Sequence, residues 1–350
     1  RPGDLGVDDL EIVRNTVAPV TSFALIENAW RAGQGLSIDE HRRRIGTRWA
    51  AFAAVAAGLD WAWDRSAPDA AAIVEPSASN RLLAWPYTRG CSSQWNVDQA
   101  AALLVVSPTV ARRHGIPELR WVHPLASAVS NHPVPGHPPP QLDRAPRAAV
   151  AARPGPAHVG GELGPVDCYS CFPAAVAVLA TELGLDLDTP TALTVTGGMT
   201  FAGGPLNNYV LGAMAELATR MRASPGVVGL STSVSGSLVK QGVGAWVAGE
   251  PTRAHREGEA GFVHLDVSDE VAATAPAREV PDEAGDGRVV SYTVTPDGAT
   301  GEVSRVVAVL ELDDGRRTIG QRVDAGLAAT VMAQEWIGAR VSVDATGTLG

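Results

Sequence analysis

Apolar positions recur at helical spacing in three stretches of the chain. The first follows Ser37-Ile38-Asp39-Glu40, where a serine three residues before a glutamate reads as a capping box and Ile45, Trp49, Phe52 and Ala53 mark a core-facing side. The second opens at Pro173, whose fixed φ suits a first helical position, runs through the helix formers 174–183 and stops at Gly184. The third carries Val210, Leu211, Met214, Leu217, Ala218 and Met221 on one stripe and ends before Pro225-Gly226. Runs rich in β-formers predict strands over residues 119–126, 192–196, 227–231 and 243–248. An apolar run at 101–106 precedes a helix opened by Pro108 and stopped by Gly115-Ile116-Pro117. Strands alternating with helices predict layered α/β packing.

After Glu250 the pattern changes. Residues 251–287 are charged, weakly patterned and proline-containing, and read as a linker or strap. Short strands then dominate at 289–294, 303–312, 318–323 and 340–345, with a hairpin turn at Asp314-Gly315 and a brief helix at 327–333. This order predicts a small OB-like β-barrel of five strands, docked on the preceding core (residues 1–250) through Val307, Val309 and Ile319. Prolines also crowd residues 131–156, which read as a loop; His132 and His137 lie there without carboxylates or cysteines at ligand spacing, so no metal is expected.

Composition narrows the function classes. The formal net charge is -10 and Lys and Arg form no cluster that could neutralise phosphates, which argues against nucleic-acid partners. No apolar run approaches the ~20 residues that span a bilayer. The chain starts at Arg1-Pro2-Gly3-Asp4 with neither Met nor a signal segment, so its numbering is expected to begin inside a longer protein. Three cysteines are too few for a disulfide framework and point to a reducing cytoplasm; Cys168 and Cys171 read as buried inert thiols, and Trp61 and Trp63 as packing residues.

The most distinctive segment is 194–209, Thr-Val-Thr-Gly-Gly-Met-Thr-Phe-Ala-Gly-Gly-Pro-Leu-Asn-Asn-Tyr. Four glycines allow close approach, Pro205 fixes the turn and a helix follows, the makings of a ligand corner in an α/β protein. Read with Val166-Asp167-Cys168-Tyr169-Ser170-Cys171-Phe172-Pro173, with Asn80-Arg81 and Trp85-Pro86-Tyr87, and with residues 97–104, the chain resembles the thiolase superfamily. The likeness is closest to a branch of actinobacterial, acetyl-CoA acetyltransferase-like proteins with an additional C-terminal domain. It implies a thiolase-like layered α/β/α/β/α core with an incomplete first half, followed by the barrel.

The resemblance also implies chemistry. The chain is expected to be an acyl-CoA acyltransferase of thiolase type in lipid metabolism, taking a CoA thioester as substrate and needing no cofactor. Gly203-Gly204-Pro205 stands where thiolases carry Gly-His-Pro, so Gly204 replaces the activating histidine. Tyr169 falls at the oxyanion-donor position, and the nucleophilic cysteine is expected before Arg1. The candidate catalytic residues are Tyr169, Tyr209, Asn207 and Asn208; the candidate substrate-binding residues are Gly197, Gly198, Gly203, Gly204, Ser233 and Ser235. Two other readings stand beside this one. The chain could bind a CoA thioester without thiolysis, or cleave a carbon–carbon bond by retro-aldol chemistry; or it could be a non-catalytic scaffold, in which case side chains plug the corner. A homodimer and a monomer are both compatible with the resemblance. In every enzymatic reading, segments 167–172 and 197–209 must meet.

Overall fold

The computed structural model describes residue 14 and residues 16–131, 162–251, 262–274, 284–298 and 300–350. The expected Pro-rich loop with His132 and His137 lies outside the described residues. Two short strands, β1 (Leu82–Ala84) and β2 (Tyr87–Thr88), form a ribbon. The main sheet joins β3 (Val122–Asn131), β4 (Leu163–Asp167), β5 (Val228–Ser235), β6 (Lys240–Ala248) and β7 (Val263–Asp266) in the order β4-β5-β6-β3-β7. Its outer pairs are parallel and its inner pairs antiparallel. Residues 262–274, within the span read as a linker, thus supply β7 and the short helix Ser268–Thr274.

Helices Pro19–Gly33, Ile38–Ala57, Pro173–Leu183 and Asn208–Ala223 build the core with this sheet. The Ser37 side chain accepts from Glu40 N–H, as the capping box predicts, and Gly184 ends the third helix in the left-handed conformation at φ 68°. Residues 173–180 are all buried, so this helix needs no polar face. Glu27, wholly buried, meets His41 Nε2 at 2.6 Å and accepts from the Tyr87 hydroxyl, which itself accepts from Ala174 N–H at 3.2 Å.

Three expectations change. The strand expected at 119–126 starts later, because Glu118–Arg120 forms a 3-10 turn and pairing with β6 carries the strand on to Asn131. Residues 192–196 form no strand; their backbone wraps a buried carboxylate, described below. The Trp61 and Trp63 side chains are not packing residues, with 43% and 54% of their surface exposed.

The C-terminal strands are β8 (Gly285–Pro296), β9 (Val303–Leu312), β10 (Arg317–Val323) and β11 (Arg340–Val343), antiparallel in the order β10-β9-β8-β11. The sheet has four strands rather than the five expected, and the final residues add only two isolated bridges, Gln321 with Thr348 and Val343 with Leu349. Gln321 on β10 donates to Gly347 O at 2.8 Å and accepts from Leu349 N at 3.1 Å, while Gly350 N donates to Ser342 O on β11 at 3.0 Å. The tail therefore bridges both edge strands and closes the sheet into a small barrel, with Leu349 buried inside. Helix Ala325–Ala333, capped by Asp324, adds Ala328 and Val331 to its interior. The barrel is docked on the core: Asn28 Nδ2 donates to Tyr292 O at 2.9 Å, Ser291 Oγ donates to Leu25 O, and Arg31 forks onto Glu335 at 2.6 and 2.9 Å. Val309 joins the main apolar core, and Val307 and Ile319 are buried.

Candidate functional site

Segments 167–172 and 197–209 do meet, around a buried carboxylate. Asp167 ends β4 with its side chain almost fully buried. Its Oδ2 accepts from Val195 N–H at 3.0 Å, Thr196 N–H at 3.3 Å and the Thr194 and Thr196 hydroxyls, each at 3.1 Å. Helix Asn208–Ala223 brings the Tyr209 hydroxyl to Oδ1 at 2.8 Å. The same hydroxyl lies 2.9 Å from Thr196 Oγ1 and 3.2 Å from Ser170 Oγ, and Ser170 Oγ accepts from Met199 N–H at 3.0 Å. A turn that would otherwise need a neighbouring strand for its N–H groups is satisfied by one side chain.

Burial pushes the Asp167 carboxyl above the usual carboxylate range, against the pull of these donors. Because Oδ2 faces two backbone N–H groups, which can only donate, any proton on the acid sits on Oδ1 beside Tyr209. Burial and the neighbouring Asp167 charge also hold the Tyr209 hydroxyl well above its ordinary value. The phenol donates to the acid in a buried site, and this pair fixes the corner.

The corner glycines are close to the chain itself. A Cβ on Gly197 would lie 2.5 Å from Ala56, on Gly198 2.8 Å from Phe52, on Gly203 2.8 Å from Gln99 and on Gly204 2.7 Å from Met199. Gly197 and Gly203 also have φ of 86° and 97°, where a side chain is strained. Loops from both sides lock on: Trp63 N donates to Ala202 O at 3.1 Å, Gln94 N to Met199 O at 3.0 Å and Gly204 N to Gln94 O at 2.8 Å.

Tyr169 is the candidate residue that reaches outward. Its N–H donates to Thr232 Oγ1 at 2.8 Å, its ring meets Tyr209 edge-on at 6.0 Å, and its half-buried hydroxyl has no partner among the described residues. Burial raises that hydroxyl far above its normal range. It is therefore a proton donor rather than a base at neutral pH. Asn207 is exposed and Asn208 half-buried at the start of their helix. On β5, Ser233 is half-buried with Gly242 against it and Ser235 is exposed; by alternation they share the face of Ser231, opposite Thr232 and away from Tyr169.

Asp167, Ser170, Thr194 and Thr196 were not singled out by the sequence reading. A signal existed: an acid closing a short apolar strand, and a Thr-x-Thr step just before paired glycines. The cysteines are buried and free; burial pushes Cys91 up to about 11 and Cys168 and Cys171 higher, so none is a ready nucleophile. Among the described residues no three His, Cys, Asp or Glu side chains are grouped to hold a metal ion, and no helix is long and apolar enough to cross a membrane. A cleft of about 610 Å³ lies elsewhere, between the end of helix Pro19–Gly33 and the barrel. Both acids that line it are paired, Glu311 with Arg317 at 3.6 Å and Asp313 with Arg340 at 2.5 Å.

No protein-family model matches the chain, and no curated protein does. Among solved structures, the chain is similar to a crystal structure described as a monomeric SCP2-thiolase like protein type 1 from Mycobacterium smegmatis. The two are 27% identical with a TM-score of 0.79, and the match covers 97% of this chain and 73% of that one. The architecture is therefore that of a thiolase-like α/β protein with a small barrel at its C-terminal end.

Proposed function

We propose that this protein acts on acyl-CoA thioesters in lipid metabolism, as an acyltransferase of thiolase type in which Tyr169 donates to the thioester oxygen. The observation that carries the reading is the convergence of the two resembling motifs on the Asp167–Tyr209 pair, with an unpartnered tyrosine hydroxyl beside it, in a thiolase-like fold. Gly204 cannot move a proton where the family keeps a histidine. Transfer that needs a donor at the carbonyl, rather than a base at a thiol, is what the remaining groups suit. The CoA thioester is the substrate and no separate cofactor is required.

Calorimetry with acetyl-CoA and with a longer acyl-CoA tests binding, and CoA release tests turnover. Tyr169→Phe should bind with unchanged heat and turn over at least ~10-fold more slowly, in keeping with loss of one oxyanion donor. Absence of heat with both thioesters refutes the reading. One observation favours a second reading, the non-catalytic scaffold: the space beside each corner glycine is taken by Ala56, Phe52, Gln99 or Met199. Absence of heat with either thioester would support that one.

A further inference from the structure

Strand β5 carries one polar residue on its core side. Leu230, Thr232 and Val234 share that face, Thr232 lies opposite Val243 on β6, and Val243 lies opposite Ala128 on β3. Thr232 is 4% exposed, and Val243 and Ala128 beside it are buried. Valine has the same branched shape and the same preference for a strand, so neither packing nor propensity asks for a hydroxyl there. A hydroxyl in such a row is costly unless it is bonded. Its observed bond is the one it accepts from Tyr169 N–H, at 2.8 Å.

That bond acts where the candidate donor is otherwise loosely held. The residues on either side are tied down: Cys168 N donates to Leu193 O at 2.9 Å, and Ser170 Oγ accepts from Met199 N–H at 3.0 Å. Tyr169 itself makes one hydrogen bond among the described residues, through its N–H to Thr232, and its ring meets Tyr209 edge-on at 6.0 Å. The hydroxyl stands at the far end of the side chain from that bond. A rotation of about 10° at the backbone therefore carries it about 1 Å, a displacement that can cost a donor ~100-fold in rate.

We propose that Thr232 is a positioning residue for Tyr169, fixing from β5 the backbone from which the phenol reaches the thioester oxygen. The inference rests on the thioester reading, in which that phenol is the donor. Thr232 touches no substrate in this account and acts through Tyr169 alone.

CoA release by the full chain and its variants is the test. Thr232→Val should lower kcat about 10- to 100-fold with KM unchanged, and Thr232→Ser, which keeps the acceptor, should recover most of the rate. In a Tyr169→Phe background, Thr232→Val should cost nothing further, because the group it places is already gone. Losses that multiply in the double variant point to general damage and overturn the proposal. So does a Thr232→Val protein as fast as wild type while Tyr169→Phe is slow, a result that leaves the thioester reading standing. Wild type without turnover, or Tyr169→Phe as fast as wild type, removes the reading and the inference together. A second measurement does not depend on turnover. The chain has four tyrosines, so ring-labelled protein gives four sets of NMR signals, of which Tyr169→Phe identifies one. Thr232→Val should shift the Tyr169 signal and leave those of Tyr87 and Tyr292 in place. A Tyr169 signal that stays put, or a shift of all four, overturns the proposal.

Discussion

Removing the Tyr209 hydroxyl is the sharpest probe of the buried corner. In Tyr209→Phe the ring, its packing and the helix start all remain, and one oxygen is lost. Thr196 Oγ1 keeps Asp167 Oδ2 at 3.1 Å and Ser170 Oγ keeps Met199 N–H at 3.0 Å, so neither hydroxyl is orphaned. Oδ1 of Asp167 is orphaned: it loses its one donor among the described residues while 1% exposed. A hydrogen bond to an ionised group contributes about 1.5–3 kcal/mol, and the enclosure puts this one toward the upper end, about 2–3 kcal/mol. For a chain of this length that is about 3–4 °C in Tm. Tyr169→Phe serves as the internal comparison: its hydroxyl has no partner, so stability should move by less than about 0.5 kcal/mol. Urea unfolding of the two variants side by side, with slopes checked for equality, gives both numbers. If Tyr209→Phe proves as stable as Tyr169→Phe, the Asp167–Tyr209 bond does not hold the corner and the account given above is wrong.

Asp167 also predicts a pH dependence. Its folded-state carboxyl is held above the unfolded value, so its contribution is fully present below the ordinary carboxylate range and is lost as pH rises through the raised value. Asp167→Asn should flatten the fall in stability that sets in above the ordinary carboxylate value of about 4, as read by urea midpoints across the pH range; an unaltered profile refutes it. The three buried thiols should ignore Ellman's reagent at pH 8 in the native protein and react once it is unfolded, and fast native labelling of any of them would contradict their burial. Glu335→Ala strips the ionic partner from Arg31, which is buried and keeps only Leu36 O at 2.8 Å among the bonds described, while Glu335 is 47% exposed; we expect a loss of about 1–2 kcal/mol, discounted for that exposure. Hydrogen exchange in β8 should quicken with it, and unchanged protection there would show that the pair does not hold the barrel down.

The barrel was the most legible part of the chain. Its strands alternate, Asp314-Gly315 marks the turn and Asp324 caps the helix, so local chemistry and final pairing agree. Only the tail escaped, because two bridging residues carry no periodic signal. Residues 192–196 show the opposite case. Leu-Thr-Val-Thr is good strand sequence, yet the donors went to Asp167, a partner some thirty positions away that no local pattern reveals. The glycine corner was recognised for its close approach, but sequence could not say whether a ligand or Met199 and Gln99 would come near. Exposure of Trp61 and Trp63 was equally hidden, since hydrophobic identity does not state which side of a loop faces water.

The tie between Asn28 and Tyr292 has a consequence for synthesis. The helix is made first and its partner carbonyl comes 264 residues later. At roughly 5–20 residues per second, a ribosome leaves that interval open for about 13–53 s. Throughout it, Asn28 Nδ2, Leu25 O and the helix face beside them have no barrel against which to close. A nascent chain in this state presents a helix whose residues 21–31 are all buried in the finished fold and whose cover on this side does not yet exist, the kind of surface that chaperones occupy. Slow codons between the core and β8 should therefore lower the yield of folded protein more than the same codons placed after Tyr292.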